Sequence, residues 1–417
     1  MERSASASLS GENPQISARR GVGTVLALVL LGSLSTNHTW TAAAVIAAAG
    51  LLAAIEIFRA RHLPREAWLL LLPFGYWTLS FALTRESSSV FLSMDFMRRD
   101  GALFVSLLPM AALAALDLDR RRLAAALLLY LAFQSAVAAV GGISAVGGWH
   151  SAFFHVADVV DQKPTFFGLY VTHNATASVY CLLTLGAFAW ALRPDIEGRM
   201  RTILLVVAAL LALGCILARS RGAFLALGAG AVFVAIRAIR RGIPRRVMVA
   251  GIAGLAVAIL AGGALLLPRF VRMVSGDSTD HFRREVWGRA WEDFKRSPVV
   301  GTGFGRYNDQ HREFTSIGIG EVATKAVVFN DDSHAHNSYL HWLAEGGVAG
   351  LAVMIAFWIL AARGLKGDDP LREWILAGIV AMAVLSLTEH YAGGGVFLVH
   401  LAFLIGVRQS CRAETLS

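Results

Sequence analysis

The chain has 417 residues, 56% of them apolar, with a mean hydropathy of +0.58 and a formal net charge of +9. Apolarity at that level, arriving in repeated blocks, excludes a soluble globular protein of this size and predicts an all-α, polytopic membrane protein. The excess charge is accounted for by arginine-rich cytoplasmic loops rather than a nucleic-acid partner. Cys181 and Cys215 within apolar runs and Cys411 in the tail provide no disulfide framework.

A polar tail from Met1 to Ser17 leads to Arg19 and Arg20 and then to the first apolar run. That run lacks a small-residue cleavage site and is read as a retained helix rather than a signal peptide. About twelve apolar segments follow, each roughly 17–25 residues long as a spanning helix requires. They lie near 21–36, 40–58, 67–83, 101–117, 122–146, 167–192, 201–218, 223–239, 247–267, 338–362, 371–388 and 392–408. The even-numbered gaps are short and basic, as with Arg59, Arg61 and Arg65, then Arg120 to Arg122, then Arg237, Arg240 and Arg241. By the positive-inside rule both termini are cytoplasmic. The expected organisation is a cytoplasmic tail over 1–20, nine transmembrane helices over 21–267, an external loop over 268–337, three helices over 338–408 and a cytoplasmic tail over 409–417.

Three odd-numbered, external gaps carry arginine against that rule. One holds Arg85, Arg98 and Arg99, and one holds Arg219 and Arg221. The third, about 70 residues long, holds Arg269, Arg272, Arg283, Arg284, Arg289, Arg306 and Arg312 among others; loops of that length usually carry function. Arginine at the wrong membrane boundary points to an anionic ligand. Within the long loop, Phe282, Val286, Trp287, Ala290, Trp291 and Phe294 recur at helical spacing. A surface helix is therefore expected, capped by Asp280, ended by Ser297-Pro298 and lying against the membrane.

The loop ends in Asp331-Asp332-Ser333-His334-Ala335-His336-Asn337-Ser338-Tyr339-Leu340-His341. A neutral histidine at a helix N-terminus can take a proton from a hydroxyl. The same pattern also fits three interfacial histidines satisfied by water and backbone. As metal ligands, Asp332, His334 and His336 match no familiar spacing, and no metal or other cofactor is expected. Gly301-Thr302-Gly303-Phe304-Gly305 looks like a phosphate loop but lacks the flanking strand and Lys-Ser/Thr, so a turn is expected. His173 and Asn174, opening the sixth segment on the external side, line the same cavity or cap a helix.

Three blocks give the chain its resemblance to a known family: Ser220-Arg221-Gly222-Ala223; Arg283-Arg284-Glu285-Val286-Trp287 with Pro298-Val299-Val300-Gly301-Thr302-Gly303; and His336-Asn337-Ser338-Tyr339-Leu340 leading to Glu345-Gly346. In their order, with the long loop and the helix count, the chain resembles the bacterial O-antigen ligases of the ligase/polymerase superfamily. The second half carries the resemblance in its motifs and the first half only in topology. The resemblance implies a membrane glycosyltransferase of lipopolysaccharide biosynthesis in the bacterial inner membrane, with a periplasmic active site. The implied donor is an undecaprenyl-pyrophosphate-linked glycan and the implied acceptor is the core sugar of lipid A-core. Arg221, Arg283 and His336 match the arginines and histidine of the blocks and are the expected catalytic residues. Arg219, Arg284, Asn337, Arg289, His173 and Asn174 are the expected substrate-binding residues.

The chemistry of the residues agrees. A pyrophosphate leaving group needs its developing charge stabilised, and guanidinium offers a planar two-donor fork. The acceptor hydroxyl needs a base, for which His336 is suited, and direct displacement inverts the anomeric centre. The competing readings are an O-antigen polymerase, a protein O-oligosaccharyltransferase, and, in a different class, a small-anion transporter of bicarbonate-carrier type. A transporter is expected to place its charges near mid-membrane at broken helices.

Overall fold

A computed structural model describes residues 14–35, 39–60, 63–83, 101–147, 154–156, 164–170, 172–243, 279–304, 307, 335–367, 369–389 and 396–410. These form twelve helices: α1 (Pro14–Ser35), α2 (Thr39–Ala60), α3 (Arg65–Leu83), α4 (Gly101–Ala114), α5 (Arg120–Gly147), α6 (His173–Ala191), α7 (Gly198–Leu217), α8 (Arg221–Arg240), α9 (Thr279–Arg296), α10 (Ser338–Gly364), α11 (Pro370–Leu385) and α12 (Val396–Ser410). Eleven of them coincide with apolar segments of the sequence, α9 is the expected surface helix, and the segment 247–267 lies outside the described residues. Five helices, α5, α6, α7, α8 and α10, are long and apolar enough to cross a membrane by length and composition. The protein is an α-helical integral membrane protein.

Two details add to this. The tail expected over 1–20 is helical from Pro14. The all-α reading omitted a small antiparallel hairpin, β1 (Phe154–Val156) with β2 (Pro164–Phe166), in register Phe154 to Phe166. Strands of three residues are too short to show an alternating pattern.

Helix α6 is the hub, packed against α7, α8 and α11. Its sequence is apolar nearly all round, as a helix buried on every side must be. The hydroxyls it carries fold back onto its own carbonyls: Ser178 donates to Asn174 at 2.6 Å and Thr184 to Tyr180 at 2.6 Å. Such bonds let polar side chains sit where no water reaches. Trp374 of α11 donates its indole N–H to the Leu182 carbonyl at 2.8 Å, fixing α11 against the hub.

The hairpin continues into the bundle as Phe166 to Tyr170. Tyr170 joins a buried polar cluster in which the Tyr130 hydroxyl lies 2.7 Å from His400 Nε2 and 3.2 Å from the Tyr170 hydroxyl. Tyr180 donates to Gln134 Oε1 at 3.0 Å and Gln134 donates to Tyr170 at 3.4 Å. The cluster ties the hairpin to α5, α6 and α12.

One end of the bundle collects the basic gaps, and there the arginines are tightly partnered. Arg237 and Arg241 of α8 and Arg372 of α11 converge on Glu373, with contacts from 2.6 to 3.1 Å. Arg408 grips Asp369 at 2.6 and 3.0 Å, while Asp369 also caps α11 by accepting from the Arg372 amide. Arg201 closes three carbonyls, of Ala191, Arg193 and Ile196. The opposite end carries the candidate site.

Candidate active site

Helices α7 and α8 form a hairpin joined by Ala218, Arg219 and Ser220. The first candidate arginines lie in that turn. Arg219 has φ of 58° and donates its amide to the Ile216 carbonyl at 2.9 Å. This is the left-handed conformation that ends a helix, which glycine adopts freely and other residues at a cost of roughly 1–2 kcal/mol. An arginine there, where glycine would relieve strain, argues that its side chain is required. Ser220 is the N-cap residue and Arg221 the first residue of α8. A Cβ on Gly222 would stand 1.9 Å from Thr388 Oγ1. The glycine of the first block is thus dictated by the close approach of α8 to the chain just beyond α11.

The third block forms the start of α10. The Asn337 side chain caps the helix by accepting from the amides of Tyr339 and Leu340 at 3.0 and 3.1 Å. His336, one residue before the cap, has φ of 46°. Those two, with Arg219, are the strained or capping positions expected from the sequence as site residues. Ser338 secures them to the end of α11. Its amide donates to the Ser386 carbonyl at 2.8 Å and its hydroxyl to the Glu389 carbonyl at 3.0 Å.

Glu389, just past α11, is where the blocks meet. Its two carboxylate oxygens lie 3.6 Å from Arg283 Nη2 and 3.5 Å from His336 Nδ1. The first is an ion pair and the second a contact of carboxylate with imidazole, both longer than close charge-assisted hydrogen bonds. Thr388, its neighbour, is the residue against which Gly222 packs. Contacts therefore link the chain at 386–389 to the start of α8, the second turn of α9 and the start of α10. Glu389 was missed in the sequence because it closes an apolar segment. The signal available was one acidic residue at the membrane boundary that also carries the anomalous arginines.

Helix α9 delivers Arg283. It starts at Thr279, so Asp280 lies inside the first turn rather than capping it. Val286, Ala290 and Asp293 are its buried positions, against α10. Trp291, expected on the apolar face of a helix lying against the membrane, is exposed, while Asp293 is buried three residues after Ala290. Arg284 is exposed and Arg289 pairs with Glu285 at 2.6 Å along the helix. The His173 ring lies tilted against Phe167 with ring centres 5.9 Å apart, and the carbonyl of Asn174 accepts from Ser178. His334, Asp331 and Asp332 lie outside the described residues.

The glycine run after α9 is not a phosphate cradle. Helix α10 breaks at Gly347, with φ of 61° and ψ of −165°, and the segment 298–303 fills the break. The amides of Thr302 and Gly303 donate to the Ala344 and Glu345 carbonyls at 2.9 and 3.0 Å, and the Gly301 amide is taken up by Ser297. In return the Val348 and Ala349 amides donate to the Pro298 and Val299 carbonyls at 2.9 and 3.1 Å. A Cβ on Gly301 would stand 2.2 Å from the Glu345 carbonyl carbon, and one on Gly347 2.3 Å from the Val299 oxygen. The second and third blocks are therefore two halves of one backbone joint. Tyr76 of α3 donates to the Gly346 carbonyl, and Trp77 stacks on Phe304 at 4.9 Å.

Below the joint, Glu345 accepts from the Tyr307 amide at 3.1 Å and lies 3.2 Å from His341 Nε2, both side chains fully buried. Tyr307 in turn donates to the Val286 carbonyl of α9 at 3.0 Å. His341 is thus part of the seam that fixes α9 on α10, and its role is structural.

Taken together, the helices define an integral membrane protein, and the end where Arg283 and His336 face Glu389 is its candidate site. Residues 206–355 match the family model described as O-antigen ligase, which supports membership of the O-antigen ligase superfamily. The match runs from α7 through α8 and α9 into α10, and includes Arg219, Arg221, Arg283, His336 and the joint, but not Glu389. Members of that family are membrane glycosyltransferase-like enzymes, and the family implies lipid-linked glycan and lipid A-core partners in general. No curated protein matches the chain.

Proposed function

We propose that the chain is an O-antigen ligase of the bacterial inner membrane, moving a glycan from undecaprenyl pyrophosphate to the core sugar of lipid A-core at the periplasmic face. On this reading both termini are cytoplasmic, twelve helices span the membrane and 268–337 is a periplasmic loop. The observation that carries it is the meeting of Arg283 and His336 on Glu389, one residue from the contact that seats Arg221's helix.

Arg221 and Arg283 hold the pyrophosphate as two-donor forks, with Arg219, Arg284 and Arg289 adding positive potential around it. Glu389 faces His336 Nδ1 and orients the ring, which assigns proton acceptance to the other ring nitrogen. The acceptor hydroxyl loses its proton to that nitrogen as its oxygen attacks the anomeric carbon. The bond from that carbon to the carrier phosphate breaks, its electron pair leaving with the pyrophosphate, and the centre inverts. Asn337 and the strained His336 backbone hold the base in place.

The transporter reading has one feature in its favour, the broken α10. The break is occupied by the chain's own 298–303 segment, with its amides and carbonyls paired, so it does not present a solute site. The test is the lipopolysaccharide ladder of a deletion strain. Loss of all long chains with carrier-linked glycan accumulating supports a ligase, whereas retention of one repeat unit on the core indicates a polymerase. With purified protein, transfer is expected to persist in excess EDTA; activity that vanishes and returns with one divalent ion overturns the arginine-only donor site.

A further inference from the structure

Helix α10 presents a stripe of exposed apolar residues below its break. Val348, Ile355 and Ile359 are 55%, 44% and 45% exposed, and their spacings of seven and eleven residues put them on one line of the helix. In a membrane-spanning helix such a line faces lipid. Counting ~1.5 Å per residue, the 17-residue stretch from Val348 to Gly364 is about 25 Å long. With Arg363 and Lys366 marking the other boundary, Val348 falls within a hydrocarbon core of about 30 Å.

The joint carries that line onward. Hydrogen bonds from the Val348 and Ala349 amides set Pro298 and Val299 beside the top of the stripe, and Val299 is 67% exposed. Earlier, in the last two turns of α9, Trp291 is 48% exposed and its ring packs on Phe294 at 5.0 Å. Glu285, Glu292 and Arg296 form an exposed charged edge beside them, and Arg284 and Lys295, seven residues before and four after Trp291, place positive charge next to the tryptophan, as at a headgroup boundary. The helix therefore has a packed face, a charged edge and an aromatic edge, and the aromatic edge leads into the lipid-facing line.

We propose that this edge, Trp291, Phe294 and Val299, is a membrane-docking surface seated in the leaflet on the side of the site, although it belongs to a segment outside the spanning helices. Its partner is bilayer lipid, with the tryptophan at the headgroup boundary and Val299 at the acyl chains. Such seating fixes the height of α9 against the membrane. Arg283, on the same helix, is then held near headgroup level, where a lipid-borne pyrophosphate lies; only this last consequence rests on the proposed function.

The test places a nitroxide on single cysteines in protein with Cys181, Cys215 and Cys411 replaced by alanine, reconstituted in phosphatidylethanolamine/phosphatidylglycerol nanodiscs. Val299→Cys and Val348→Cys are expected to collide mainly with oxygen, Trp291→Cys with oxygen and a water-soluble nickel chelate comparably, and Glu292→Cys mainly with the chelate. Ile355→Cys calibrates the stripe. Chelate-dominated collisions at Val299 with oxygen-dominated collisions at Ile355 overturn the docking surface while leaving the membrane reading intact. Shielding of Val299 from both, with spin–spin broadening, overturns it in favour of a second copy of the chain. Neither result bears on transfer activity, so the proposal fails or stands separately from the ligase reading.

Discussion

Glu373 and Glu389 lie at opposite ends of the same bundle, one at the start of α11 and the other just past its end, and each gathers cations. Glu373 is held by three arginines at 2.6 to 3.1 Å. Glu389 faces Arg283 and His336 at 3.6 and 3.5 Å. The first arrangement is a closed structural knot: its guanidiniums join the end of α8 to α11, and removing the buried carboxylate leaves three partly exposed like charges facing one another. The second is a loose bridge on strained or helix-terminal supports, suited to exchanging a carboxylate for a phosphate. Arginine content alone does not distinguish the two ends; contact length and backbone conformation do.

The sharpest way to break the comparison is at the base. His336→Ala is expected to lower transfer by about 100-fold or more, the scale of a lost general base, with membrane insertion and melting in detergent nearly unchanged. Near-normal transfer by that variant ends its assignment. Glu389→Gln is expected to follow it in the same assay with a smaller loss.

The opposite end should respond the other way. Glu373→Ala removes the partner of three arginines and is expected to cost about 1.5–3 kcal/mol, the scale of hydrogen bonds to a charged group. Melting in detergent reads the loss, and transfer per folded molecule should remain. If Glu373→Ala instead abolishes transfer without changing melting, the two ends are not divided as described.

Arg221→Lys and Arg283→Lys keep the charge and lose the fork. Transfer should fall by about 10- to 100-fold, within reach of the loss of one transition-state donor. Equal activity in either lysine variant shows that bidentate recognition is the wrong account at that position. Arg237→Lys, at the structural end, should change melting modestly and transfer little.

The smallest expected effect lies between the ends. Tyr170→Phe removes one hydroxyl from the buried cluster with Tyr130 and Gln134. Hydrogen bonds between membrane helices are worth about 0.6 kcal/mol on average and up to about 1.7. A small drop in melting with unaltered transfer is expected, and a large loss of transfer would assign the cluster to the site.

Apolar segment length and the spacing of Val286 and Ala290 made the helices legible, because burial in lipid or against a neighbour imposes a period that a sequence displays directly. The motif residues Arg221, Arg283 and His336 were legible too, since arginine at an unexpected boundary and histidine before a helix are local facts. The glycine run was legible as a turn but not as a joint, because its partner at Glu345 to Ala349 lies more than forty positions away. Glu389 was not legible as the partner of Arg283 and His336. Its contacts with Arg283 and His336 cross three elements, and only packing brings them together. Nor can a sequence state that Arg219 and His336 adopt left-handed backbone, since that strain is imposed by the helices they connect. What the sequence determined by itself was therefore the helical, membrane-embedded class and the local chemistry of each block. What only the tertiary structure decided was which charges face one another, because distance between side chains far apart in the chain is set by how helices pack, not by their spacing along it.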